Sequence, residues 1–588
     1  MSEMQVMMKF EFLPNEIQME CYKYLNAPDI FDSFDQLNYR FYKLIRNIPL
    51  HVDFQYVSKS SFDNFCRKII LNPENLKQIY SLHLSNKEMY GQIEAFLSIF
   101  TFNEFSNLQS LILTQVKEIN MNKLKSMLIL IPKLYSLRLI DCNIPNSEIM
   151  AVLTISKLRI LSIRSLYFVP LAKNETSVIT NLTVFGCLLS DLYRLFQYAP
   201  LLKYLNVGRL PDCHEVIGRG EDFINNYAFH LRQLIIDEYG YEFEDFEIFV
   251  KQIPNLKSLI ISAYDNIDII DASRWEHLIK SSLPHLHIFK FKFYYSQYGK
   301  SIIADQFNQF QSDFWLKQHH WYTEYSLKES LGRTTALIYT LPCIADRFEL
   351  KLDINRYYNK LINNFDVFHN IKYLSLDSEI LSKECHYYFS NVTSLILKCK
   401  SNLFKRDSDR ILLKAKHIKS LKMIVNLYNL KHLDISFLCK IESSTILLEI
   451  LKQSPNLSSI SVDPNYLLSL FSDNELCKYL NKMIKKLDML IPSLDKFSKI
   501  EQFCKIFSNI EQLKCNITQL DDLLFLLNNL SKLSILKVSD TSTNKFIYKF
   551  KDEASKLNIV YYLRSYNDNS YDKICNLDLS IWIGKKTN

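Results

Sequence analysis

Residues 124–139 read LKSMLILIPKLYSLRL. Leu124, Met127, Leu128 and Ile131 stand at offsets 0, +3, +4 and +7, one apolar face of a two-turn helix. Pro132 comes next. It has no N–H to donate and its ring clashes with the preceding turn, so the helix stops there. Leu134, Leu137 and Leu139 then spell hydrophobic-x-x-hydrophobic-x-hydrophobic, a strand pattern. A helix and a strand this short cannot bury their own apolar sides. The stretch needs neighbours built the same way.

The chain supplies them. The strand template recurs as Ile79/Leu82/Leu84, Leu108/Leu111/Leu113, Leu158/Leu161/Ile163, Ile179/Leu182/Val184, Leu202/Leu205/Val207, Leu231/Leu234/Ile236, Leu256/Leu259/Ile261 and Leu286/Phe289/Phe291. Successive starts lie 21 to 30 residues apart, the leucine-rich-repeat period. The helix offsets return at Leu192/Leu195/Phe196/Ala199, Phe246/Phe249/Val250/Ile253 and Leu447/Ile450/Leu451/Ser454, each closed by a proline (Pro200, Pro254, Pro455). Each unit reads strand, turn, helix, proline stop. The expected fold is α/β: a leucine-rich-repeat solenoid with parallel strands on the concave face and helices on the convex face. No unit buries its own face, so stacking makes the core.

The rhythm lapses after residue 292. Thirteen aromatics fall between 289 and 325, including Phe314-Trp315 and Trp321-Tyr322. Two readings stand. The segment 293–344 is either an irregular repeat with aromatics in its core, or an insertion offering Trp315, Trp321 and Tyr322 to a partner. Templates resume at Ala345/Phe348/Leu350, Ile371/Leu374/Leu376, Val392/Leu395/Leu397, Ile418/Leu421/Met423, Leu430/Leu433/Ile435, Leu457/Ile460/Val462, Ile510/Leu513/Cys515 and Leu533/Leu536/Val538. Ile418 and Leu430 are too close for both to start units. Leu457 and Ile510 are far enough apart to hide one strand. The expected division is 10–48 helical domain, 49–78 linker and N-terminal cap, 79–292 first repeat block, 293–344 insertion, 345–555 second block and 556–588 C-terminal cap.

Composition removes several chemistries. Hydrophobic content of 48% and charged content of 23% describe a globular chain. Only nine glycines occur, and no G-x-G-x-x-G, G-x-x-x-x-G-K-[ST] or G-x-S-x-G is present. The thirteen cysteines form no C-x-x-C and the thirteen histidines no H-E-x-x-H, so no metal or other cofactor is expected. With no secretory signal and no long apolar run, the expected location is cytoplasmic and/or nuclear, without membrane contact. Residues 398–422 carry nine lysines and arginines against two aspartates, a surplus of seven that equals the net charge of the whole chain. Lys405, Arg406 and Arg410 within it are candidates for an acidic partner. Nucleic-acid binding is not favoured, because the aromatic interleaving of a stacking surface is missing there.

Residues 13–46 differ from the rest. Ile17, Cys21, Tyr24 and Leu25 recur on one helix face, and Ile30, Phe34, Leu37, Phe41, Leu44, Ile45 and Ile48 carry a second helical period. Pro14 suits a helix start and Ala27-Pro28 breaks the first helix. Leu13-Pro14, Glu16-Ile17, Tyr24-Leu25, Asp29-Ile30 and the segment Leu37 to Leu44 resemble an F-box. The array behind it resembles the longer, helix-containing repeats of the F-box/leucine-rich-repeat family, with Cys142 and Cys187 in its Asn/Cys turn position. The last helix departs from the family: Leu37-Asn38-Tyr39-Arg40-Phe41 stands where members often have a Cys-Lys-x-Trp-like segment.

The resemblance implies docking of a Skp-family adaptor in a cullin-RING ubiquitin ligase. Leu13, Pro14, Ile17, Tyr24, Leu25, Ile30, Leu37 and Phe41 are the candidate adaptor contacts. The array would bind an unknown target protein through variable strand positions such as Gln109, Tyr135, Arg138, Lys203, Lys257 and Ser258. The chain itself is expected to be non-catalytic. The competing class is a repeat scaffold or binding protein without a ligase role, its N-terminal helices serving as a cap.

Overall fold

The computed structural model describes residues 10–87, 91–116, 124, 126–142, 157–166, 176–211, 227–298, 304–330, 333–350, 355–358, 367–382, 385, 387–398, 412–435, 440–489, 500–517, 519–539, 550–554, 560–566 and 576–582. They divide into two compact units. The first holds residues 1–262 and 277–289, and the second 263–276 and 290–584.

The first unit opens with three short helices: α1 (Asn15–Tyr22), α2 (Ala27–Ser33) and α3 (Tyr39–Ile45). Pro28 falls in the first turn of α2, where its missing N–H costs nothing. It therefore starts the second helix, whereas α1 has already ended at Tyr22. The Asn38 side chain caps α3 by accepting from the Phe41 N–H at 2.9 Å. Four rings fill the middle: Phe34 lies 5.4 Å from Tyr22, 5.5 Å from Phe10 and 5.6 Å from Phe41.

The strand β1 (Leu50–Asp53) and α4 (Lys59–Leu71) follow. In α4, Phe62, Phe65, Cys66 and Ile69 form the buried face, and Ser58 caps its start. β1 is the first rung of the sheet, pairing in parallel with β2 (Ile79–Ser85). The sheet continues in sequence order through β3 (Ser110–Thr114), β4 (Ser136–Ile140), β5 (Ile160–Leu166), β6 (Asn181–Cys187), β7 (Tyr204–Leu210), β8 (Gln233–Tyr239) and β9 (Ser258–Tyr264).

Register follows the template residue by residue. Leu82 pairs with Leu111, Leu111 with Leu137, Leu137 with Leu161, Leu161 with Leu182, Leu182 with Leu205, and Leu205 with Leu234. Each of these leucines is at most 1% exposed. Burial of one such side chain is worth about 1.5–3 kcal/mol, so each rung contributes to the unit's stability. The helices Leu189–Tyr198 and Phe243–Val250 bury Leu192, Leu195 and Phe196, and Phe246, Phe249 and Val250, against it.

A second ladder runs beside the leucines. Asn107 donates to the Lys77 carbonyl at 2.7 Å and Asn255 to the Phe229 carbonyl at 3.0 Å. Lys157 reaches the Pro132 carbonyl at 2.7 Å in the same way. In the second unit Asn370, Asn391, Asn429 and Asn456 donate to the carbonyls of Cys343, His369, Ser390 and Tyr428 at 2.8–3.0 Å. Every one of these residues immediately precedes the first apolar residue of its template. They satisfy carbonyls at the helix-to-strand corner, where the backbone has no ladder partner.

The second unit contains a segment that breaks the parallel order. Strand Ile288–Tyr298 pairs antiparallel with Arg333–Thr340, which pairs antiparallel with Thr323–Ser330, which pairs antiparallel with Asn355–Tyr358. Residues 293–344 thus centre on an antiparallel hairpin. A separate sheet then runs in parallel through Arg347–Leu350, Tyr373–Asp377, Ser394–Lys398, His432–Ile435, Ser459–Ser461, Lys486–Met489, Gln512–Asn516 and Ile535–Ser539. Strands Asn576–Trp582 and Val560–Tyr566 close its far edge antiparallel.

Two irregular spacings are resolved. Ile418, Leu421 and Met423 lie in the helix Ala415–Ile424, so they are not a strand start, and Leu430/Leu433/Ile435 is the rung. Met423 is 72% exposed, which a strand-core position would not allow. The hidden strand between Leu457 and Ile510 is Lys486–Met489, with Ile484, Leu487 and Met489 buried.

Candidate docking surfaces

Of the three N-terminal helices, α2 and α3 bury apolar faces, while α1 buries a polar residue and a tyrosine. α1 buries Gln18 and Tyr22, while Ile17, Tyr24 and Leu25 are exposed. The reason is local. The Gln18 carboxamide donates to the Phe10 carbonyl at 2.9 Å, and Tyr22 packs edge-on to Phe34. Burial pushes the Tyr22 hydroxyl up to about 12. With that side of α1 committed inward, its other apolar side faces solvent.

The candidate adaptor contacts therefore separate into two groups. Pro14, Ile17, Tyr24, Leu25 and Leu37 are exposed and Leu13 is half-buried. Ile30 and Phe41 are each 1% exposed and belong to the module's own core. Their expected contact with a partner is corrected, because α2 and α3 turn them inward onto α4 and the ring cluster. Phe12, Tyr39 and Tyr42, which periodicity did not single out, are exposed as well. Isolated exposed apolar residues are ordinary, but seven large ones within residues 12–42 are not.

The Leu13-Pro14 turn is held from α3. Arg40 donates to the Leu13 carbonyl at 2.6 Å, to the Glu11 carbonyl at 2.5 Å and to the Asn15 side chain at 2.8 Å. The module is also fastened to the sheet. The Asn26 carboxamide donates to the Asp53 carbonyl at 2.7 Å and accepts from the Asp53 N–H at 2.8 Å. Lys68 of α4 donates to the Phe31 carbonyl at 2.8 Å, and Phe31 meets Phe65 edge-on at 5.4 Å.

The aromatic segment is mostly buried, though Tyr298 is 71% exposed. Trp315 is fully buried, Trp321 is 7% exposed and Tyr322 is half-buried. Trp315 lies 4.8 Å from Phe310 and 5.9 Å from Trp321, and Phe307 stacks on Tyr325 at 4.9 Å. The partner-surface reading of Trp315 and Trp321 is corrected: the two indoles pack on each other and on Phe310 and Phe314. Lys405, Arg406 and Arg410 lie outside the described residues.

The solvent faces of the sheets remain open. Gln109, Tyr135, Arg138, Lys203 and Lys257 are exposed and Ser258 is half-buried. On the second unit's parallel sheet, charges sit in paired rows: Lys398 bridges Glu349 at 3.1 Å and Lys514 bridges Asp488 at 3.3 Å. His432 lies 2.8 Å from the Ser459 hydroxyl, and burial first, then the nearby Lys486, depresses its imidazole. Among the described residues no group of three or more His, Cys, Asp or Glu could hold a metal ion. Cys66, Cys142, Cys187 and Cys515 are buried, and burial raises each thiol, which disfavours the thiolate.

Strand register and stacked helices define an α/β leucine-rich-repeat-type solenoid. No protein-family model matches the chain. No curated protein matches it either. Among solved structures it is similar to the crystal structure of the TLR13–ssRNA13 complex, at 16% identity over 84% of this chain and 56% of that one, with a TM-score of 0.23. The chain thus spans just over half the length of that neighbour. No helix among the described residues is long and apolar enough to cross a membrane.

Proposed function

We propose that this chain is the substrate-recognition subunit of a Skp–cullin–F-box type ubiquitin ligase. The observation that carries the reading is the exposure of large apolar residues in the N-terminal module. Pro14, Ile17, Tyr24, Leu25 and Leu37 stay at the surface although the module has a filled core of its own. They are not needed to cap the repeats, since β1 already begins the sheet. Their positions coincide with the F-box-like motif, so a Skp-family adaptor is the partner they fit. The repeat array would hold a target protein, raising its effective concentration near a charged conjugating enzyme. The chain would contribute no nucleophile or acid–base group.

Purified chain is mixed with a Skp-family adaptor and binding is measured by calorimetry. Binding is expected for the wild type, and loss of it for Ile17→Asp/Tyr24→Asp and for Leu13→Ala/Pro14→Ala. Ile17 and Tyr24 are exposed, so the Ile17→Asp/Tyr24→Asp variant should keep the wild-type unfolding temperature. A wild type that ignores the adaptor, or variants that bind it equally well, would leave the repeat scaffold as the reading.

A further inference from the structure

The entrances to the first unit's strands carry one sign of charge. The residue that follows each first template residue belongs to a continuous row, because its N–H donates to the carbonyl of its counterpart one rung earlier. Thr180 bonds Arg159 in this way, Lys203 bonds Thr180, Arg232 bonds Lys203, Lys257 bonds Arg232 and His287 bonds Lys257, at 2.8–3.0 Å. Lys203, Lys257 and His287 are exposed, and Arg159, Thr180 and Arg232 are half-buried. In no rung from Ile79 to Leu286 is the residue before the first template residue, or either of the two after it, an Asp or Glu.

The fold does not neutralise these cations. Among the described residues no carboxylate forms an ion pair with Arg159, Lys203, Arg232 or Lys257. Arg159 donates from Nη1 to the Val178 carbonyl at 2.8 Å, and Arg232 from Nη1 to the carbonyls of Asn255 at 3.0 Å and Phe229 at 3.2 Å. A carbonyl carries no net charge. Both guanidinium groups are therefore held in place with their charge intact, and each keeps its Nε and Nη2 donors. Elsewhere on the sheets the fold does supply the counter-charge. At the far end of the same strands Arg209 meets Glu238 at 2.9 Å. At the same template position in the second unit Lys485 meets Glu511 at 3.1 Å.

We infer that the row from Arg159 to Lys257 seats an acidic segment of the target protein. The proposal rests on the array being the target-binding part, and it names the chemistry of what the array holds. Four strand spacings separate Arg159 from Lys257, about 19 Å. Three i to i+2 steps along an extended segment cover about 20 Å, so carboxylates at alternate positions reach all four cations. The pinned guanidinium forks take a carboxylate bidentately, and the lysines follow as mobile point charges. From Arg159 to Lys257 the row holds no aromatic ring, so the bases of a nucleic acid find no stacking platform within it.

The test uses the full chain and two fluorescein-labelled probes, a decapeptide of alternating Glu and Ser and an oligouridylate of equal length, titrated by fluorescence anisotropy. The peptide is expected to bind the wild type more tightly than the oligouridylate, and added salt to weaken it. Lys203→Glu/Lys257→Glu should weaken the peptide about ten-fold. Lys251→Glu/Lys482→Glu makes the same charge change at exposed helix positions and should leave it unaltered. Carbodiimide coupling of the peptide to the wild type, mapped by mass spectrometry, should mark Lys203 and Lys257 ahead of Lys251 and Lys482, which reads the site without any variant. The proposal falls if the peptide does not bind, if both variants weaken it equally, if coupling spreads evenly over the four lysines, or if the oligouridylate binds more tightly. Adaptor binding by calorimetry is measured alongside. Adaptor binding without peptide binding overturns this inference alone, and peptide binding at the row without adaptor binding supports it and overturns the ligase reading.

Discussion

Arg40 on α3 donates to the carbonyl of Leu13 at 2.6 Å, across 27 residues of sequence. The same guanidinium reaches Glu11 and Asn15, so one side chain sets the shape of the Leu-Pro turn. The segment 37–41 thus holds the Leu13-Pro14 turn in place.

Arg40→Ala should loosen that turn without unfolding the module, whose rings and α2 contacts remain. Charge-assisted bonds at an exposed site are worth on the order of 1 kcal/mol net, about a five-fold loss of adaptor affinity. Arg40→Lys keeps the charge but not the fork of donors and should recover little. Calorimetric titration reads this directly, and unchanged affinity in the alanine variant would remove Arg40 from the account.

Asn26 exchanges two hydrogen bonds with the backbone of Asp53, tying the module to the first rung. Asn26→Ala removes both and should cost roughly 1–2 kcal/mol locally. Amide hydrogen exchange is expected to quicken in α1 to α3 and β1 while β3 to β8 stay protected. Uniform protection in the variant would show that the α2–α4 packing suffices alone.

Trp315 is fully buried among Phe310, Phe314 and Trp321. Trp315→Ala should cost about 3–5 kcal/mol through lost packing and the cavity left behind. The chemical denaturation midpoint should fall accordingly. A variant with unaltered stability but impaired partner capture would restore the surface reading of this residue.

Stability should also fall with acid. Burial is the first cause that depresses both His417 and His432 below the ordinary 6.5; Lys416 and Lys414 add to it at His417, while Asp434 and Asp488 partly offset it at His432. As pH drops through 6.5 the unfolded chain takes up protons before the folded one does, so the folded state loses ground. The contribution is whole above 6.5 and declines below it until the folded histidines protonate in turn. Urea midpoints measured at about pH 7.5 and about pH 5.5 should differ less in a His417→Gln/His432→Asn variant than in the wild type. Equal differences would assign the acid sensitivity elsewhere.

The rungs were legible because strand and helix periods are local facts. Leu134, Leu137 and Leu139 fall on one face of any strand, and Leu192, Leu195, Phe196 and Ala199 on one face of any helix, whatever surrounds them. The asparagine ladder was equally local, since Asn107, Asn255 and Asn456 each precede a template, yet an apolar template passes over a polar position. Met423 misled because three apolar residues at the strand offsets also fit the helix Ala415–Ile424.

What sequence alone determined about this protein is its repeating unit, because one unit's pattern states what it must pack against. Only the tertiary structure decided which apolar residues face outward. Ile17 and Tyr24 are as hydrophobic by pattern as Ile30 and Phe41. They are exposed because Phe10, Tyr22 and Phe34, from three separate segments, close the module's core without them. Most aromatics of 289–325, Trp315 among them, went inward for the same kind of reason. Strand Arg333–Thr340 pairs antiparallel with both Ile288–Tyr298 and Thr323–Ser330, and pairing with a distant strand leaves no mark on the period of either.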